Sequence, residues 1–177
     1  MADPLHQINL TYDPGEDRLL LKIVTTGRAA YRLWLTRRVT GQIYEVLNDV
    51  ADSRASEAAG AAASSARARD AVRDFQREDA VARVDRSKPF DDAGAELPLG
   101  GTPILIARAR PGEGDGPGRL VLEAEGKPAI TLGLEADLVH TLGELLANGA
   151  SRAGWDLPGM TLDDEVKPPP GTGQSVH

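Results

Sequence analysis

Residues 27–47, GRAAYRLWLTRRVTGQIYEVL, recur in pattern as residues 126–146, GKPAITLGLEADLVHTLGELL. At this offset of 99 positions Gly27 meets Gly126, Arg28 meets Lys127, Ala30 meets Ala129, Leu33 meets Leu132 and Leu35 meets Leu134. Val39, Ile43, Val46 and Leu47 then meet Leu138, Leu142, Leu145 and Leu146. Alternating apolar positions followed by an i, i+4, i+7, i+8 stripe describe a strand that runs into an amphipathic helix. A small sheet with one helix buries too little apolar surface to stand alone. Two such units in one chain are therefore expected to complete each other's core.

The flanking residues extend each unit to β-β-β-α. Residues 6–12 alternate, with Ile8, Leu10 and Tyr12 on one face, and Asp13-Pro14-Gly15 supplies turn chemistry. Residues 18–25 are apolar on both faces, as in a central strand. Tyr31, Leu33 and Leu35 form the inner row of a third strand, and Thr36 is a suitable N-cap for the helix that follows. The second unit repeats the plan, with strands at 104–110 and 119–125, an inner row of Ile130, Leu132 and Leu134, and a helix over 135–148 closed by Gly149. The glycine-rich run 112–116 is acidic and joins two strands, so it reads as a hairpin loop and not a phosphate cradle. Between the units, residues 51–103 are alanine-rich and then Pro/Gly-rich, and are expected to form a partly helical linker. The expected organisation is a first unit at 1–50, the linker at 51–103, a second unit at 104–157 and a disordered tail at 158–177. The fold class is α+β, with antiparallel sheets packed on helices.

Composition removes several functions. Acidic residues outnumber basic ones, 27 to 20, giving a net charge of −7 and a pI near 5.0. That balance disfavours nucleic-acid binding through bulk charge. The absence of cysteine excludes disulfides and thiolate sites and fits a reducing compartment. No apolar run approaches the roughly 20 residues of a membrane helix, and the N-terminus lacks a signal-peptide pattern, so a cytoplasmic protein with no membrane partner is expected. His6 and His177 lie near the chain ends, while His140 shares a polar helix face with Asp137 and Glu144. That face reads as solvated. No catalytic, metal-binding or cofactor-binding residue is assigned.

The pattern INLTYDPGEDRLLLKIVTTG…YRLWLTRR, with DFQREDAVARVDRSKPF and the closing RAGWDL, resembles a group of small proteobacterial proteins. That group has no established activity, so the resemblance implies no site. Two sheet-then-helix repeats also resemble the Whirly and PUR-repeat topology, which binds single-stranded nucleic acid on its sheets. Those repeats carry four strands where three are read here.

One patch has chemical content. Arg28, Arg32 and Trp34 stand on the strand face opposite Tyr31, Leu33 and Leu35, with Lys22 on the neighbouring strand and Arg37 and Arg38 at the helix start. Cations at a helix N-terminus oppose its dipole, a cost that an anion would offset. Six basic and six acidic residues balance within residues 1–50, so no broad basic field surrounds the patch. Trp155 reads as a lid over the end of the second helix. The leading expectation is a non-enzymatic adaptor or accessory protein, homodimeric, that holds a protein partner. The alternative is a binder of single-stranded nucleic acid that uses Lys22, Arg28, Arg32, Trp34, Arg37 and Arg38.

Overall fold

The N-terminal alternation becomes two long antiparallel strands, β1 (Leu5–Asp13) and β2 (Arg18–Thr25), in a computed structural model that describes residues 5–59, 67, 70–72, 74–75, 90–114 and 118–160. The Asp13 carboxylate accepts the backbone N–H groups of Gly15 and Glu16, which closes the hairpin as an Asx turn. Strand β3 (Ala30–Leu35) pairs antiparallel with β2, setting Leu19 opposite Leu35 and Leu21 opposite Leu33. These four and Ile23 are fully buried. The inner row is as expected, with β2 central.

Helix α1 (Arg37–Ala59) begins where Thr36 Oγ1 accepts the Val39 N–H at 3.3 Å, the N-cap read from the sequence. It does not stop at Val50. Ala51 and Ala55 are buried and continue the i, i+4 series of Val39, Ile43 and Leu47, so the alanines there serve as small core residues. The rest of the expected linker lies mostly outside the described residues.

The expected strand at 104–110 is in fact two. Strand β4 (Ile104–Leu105) runs parallel to β3 as the fourth strand of the first sheet, ordered β1-β2-β3-β4. Strand β5 (Arg108–Pro111) pairs antiparallel with β6 (Arg119–Glu123) in a second sheet, ordered β5-β6-β7 with β7 (Ile130–Gly133). The switch falls between neighbouring residues. Ile106 N–H bonds to Trp34 O at 3.0 Å, and Ala107 N–H bonds to Glu123 O at 2.8 Å. The first sheet is therefore mixed rather than wholly antiparallel.

Helix α2 (Ala136–Arg152) runs through Gly149, which is not its C′ residue. Termination comes at Ala153, followed by Gly154 in the left-handed region (φ 66°). Gly149 is buried against the first sheet, where a Cβ would lie 2.6 Å from Leu10 Cδ2 and 3.0 Å from Leu19 Cδ2. Helix packing across the units explains that closeness. α1 lies on β5, α2 lies on β1, and the helices pack on each other. Leu19, Leu33, Leu35, Leu120, Leu132, Leu134, Ile43 and Leu142 accordingly belong to one continuous core. The chain stays packed past residue 158. Tyr44 donates its hydroxyl to Gly159 O at 2.7 Å, and Met160 is buried in the core. The remaining tail, 161–177, lies outside the described residues. No helix among the described residues is long and apolar enough to cross a membrane.

Two glycines of α2 give opposite predictions. Gly149→Ala overpacks the helix–sheet contact and lowers stability by about 1–2 kcal/mol, after the helix-propensity gain is deducted. Gly143 has nothing within 4 Å of a built Cβ, so Gly143→Ala raises stability by about 0.5–1 kcal/mol. Urea denaturation of both variants checks the pair.

Candidate functional site

Strand registry fixes which side chains share the face of the first sheet turned from the core. Three rows follow from the pairing: Gln7–Val24–Ala30, Asn9–Lys22–Arg32 and Thr11–Leu20–Trp34–Leu105. The first two rows lie beneath residues 90–102. Gln7 Oε1 accepts the Asp91 N–H at 3.0 Å. Ala30 N–H bonds to Glu96 O at 2.7 Å, and Glu96 N–H to Arg28 O at 2.8 Å. Lys22 Nζ sits 6.0 Å from the Phe90 ring centroid, a cation–π contact. The third row extends beyond those contacts. Thr11 and Leu105 are exposed, Leu20 and Trp34 half-buried. Leu105 is 44% exposed, on the two-residue edge strand of the sheet.

The six patch residues divide into two groups. Lys22, Arg28, Arg32 and Trp34 belong to the first sheet or its β2–β3 turn, while Arg37 and Arg38 lie in the first turn of α1. Every arginine among them holds a distant backbone carbonyl. Arg28 donates to Ala93 O, Arg32 to Gly101 O at 3.1 Å, Arg37 to Asp156 O and Arg38 to Ala107 O at 3.0 Å. Arg28 does so from a left-handed backbone (φ 60°), a conformation that costs a non-glycine residue about 1–2 kcal/mol. Arg54 of α1 follows the same rule and donates to Leu134 O. In place of an anion at the helix N-terminus, backbone carbonyls meet Arg37 and Arg38.

Arg32 also pairs with Asp92, Nη2 to Oδ2 at 2.8 Å. The hydrogen bond from Arg32 holds the Asp92 carboxyl below its ordinary value of 3.8, against the opposing effect of burial. Trp155 packs on the core and meets the Tyr12 ring edge-on at 6.2 Å. The Tyr12 hydroxyl donates to Asp17 at 2.9 Å, and that hydrogen bond is the main cause raising the phenol above its usual 10.0. Among the described residues no group of three or more His, Asp or Glu side chains could hold a metal ion. Asp137, His140 and Glu144 of α2 each make contacts of their own.

Sequence reading placed Trp34 on this face but missed Leu105, whose position depends on the parallel β3–β4 pairing. It also missed Asp92, since nothing local links it to Arg32. Comparison with protein-family models, curated proteins and solved structures found no match to this chain.

Because Asp92 is depressed in the folded state, its contribution is present above the unfolded pKa of about 4 and is lost as pH falls through the folded value. Asp92→Asn is therefore expected to lower the melting temperature at pH 7 and to flatten its fall between about pH 5 and pH 2. Identical acid-side slopes for the two proteins would contradict the pairing.

Proposed function

We propose that the chain is a non-enzymatic interaction protein that self-associates through the row Thr11–Leu20–Trp34–Leu105. The observation that carries this reading is Leu105, 44% exposed and directly beside half-buried Trp34 at the sheet's edge. The absence of charge on this row is compatible with a second copy as the occupant. Two chains of net charge −7 repel one another, so a face without net charge lowers the cost of their meeting. This row carries no charged side chain, and in the neighbouring row Arg32 pairs with Asp92 while Lys22 meets the Phe90 ring. A two-fold contact would set each row against its own copy, with Trp34 as the anchor. A stable pair of this kind needs about 800 Å² per partner.

Sedimentation velocity tests the reading. The wild-type chain is expected to dimerise at tens of micromolar, with Kd below roughly 50 μM. Leu105→Glu is expected to be monomeric at the same concentration with an unchanged melting temperature, because the site is already exposed. A wild-type monomer at about 100 μM would overturn the proposal. The competing occupant is single-stranded nucleic acid stacked on Trp34. In a Trp155→Phe background, salt-sensitive quenching of Trp34 by an oligonucleotide would reassign the face to it.

A further inference from the structure

The second sheet has an outer face of different chemistry. Registry places Arg110, Val121 and Thr131 in one row across β5, β6 and β7, and sets Arg119 opposite Gly133 in the next. A cavity of about 310 Å³ opens there, lined by Arg110, Gly112, Glu113, Arg119, Val121, Ala129 and Thr131. Val121 is buried and forms its apolar floor, and Gly133 contributes no side chain to fill the space beside Arg119. Two guanidinium groups thus border one concavity in a chain where acids outnumber bases.

Their protein contacts leave donors to spare. Arg110 Nε meets Glu123 Oε1 at 2.7 Å and its Nη1 lies 3.4 Å from Pro111 O, while Arg119 Nη1 donates to Glu113 O at 3.1 Å. A guanidinium carries five N–H donors, and against the described residues these two arginines use one or two each. Among the described residues the acids at hand are Glu123, already matched to Arg110, and Glu113 at the rim. We infer that this concavity binds a small oxyanion, a carboxylate or a phosphate, between Arg110 and Arg119. Thr131 offers a hydroxyl donor and Val121 receives the ligand's apolar body. The volume falls at the lower end of ligand pockets, near 300 Å³, which fits a compact molecule or one acidic side chain. The inference is independent of self-association, since it concerns the other sheet.

Amide NMR on the full chain tests it, with inorganic phosphate and malonate as separate titrants up to about 20 mM. Saturable shifts at Val121 and Thr131 are expected. They should weaken about tenfold or more in Arg119→Gln, which removes a charged donor. Response to malonate alone assigns a carboxylate source, and response to phosphate alone a phosphoryl source. Sodium chloride at matched ionic strength producing the same shifts, or neither titrant saturating, would overturn the inference, as would undiminished binding by Arg119→Gln. Should that variant lose its dispersed spectrum, Thr131→Val replaces it and is expected to weaken binding severalfold.

Discussion

Two consecutive peptide N–H groups, those of Ile106 and Ala107, bond to different sheets, and the unity of the molecule follows from that step. A strand that leaves one sheet and enters another within a single residue places both sheets around the same core. Ile106, 1% exposed, sits at that switch, and full burial of such a side chain contributes about 1.5–3 kcal/mol. Helix α1 fixes the step from outside. Arg38 holds Ala107 O, and Gln42 Oε1 accepts the Ala109 N–H at 3.0 Å. The second of these also satisfies an edge donor of β5 that could otherwise recruit another strand.

The arginines carry the same theme across the surface. Each of Arg28, Arg32, Arg37, Arg38 and Arg54 reaches a carbonyl far along the chain. A guanidinium is suited to this work, because it keeps its charge, presents several donors in a plane and lays its stem on apolar neighbours. Hydrogen bonds to carbonyls fix where these guanidinium groups lie and leave their charge in place. On the second sheet, Arg110 and Arg119 flank the concavity for which we propose an oxyanion ligand.

Much of this fold was legible in the amino-acid order. The α+β class, the two runs of three strands and a helix, the inner rows and the Thr36 cap all follow from local periodicity and local hydrogen bonding. What was not legible is non-local. Residues 104–111 read as one strand because alternation carries no record of which partner each half will meet. Gly149 resembled a helix terminator, since glycine serves equally for termination and for close approach. Ala51 and Ala55 read as linker because a small side chain signals burial weakly. The arginines of the patch are named from the sequence, yet their acceptors lie on segments such as 92–101 and residue 156 that no spacing rule connects to them.

The exchange of helices between sheets has a topological consequence. α1 rests on β5 and α2 on β1, so neither the N-terminal nor the C-terminal half finishes its own interior. Nothing in those contacts requires both halves to come from the same polypeptide. Two molecules could trade their later portions and rebuild every interface, an entwined pair formed without any new surface.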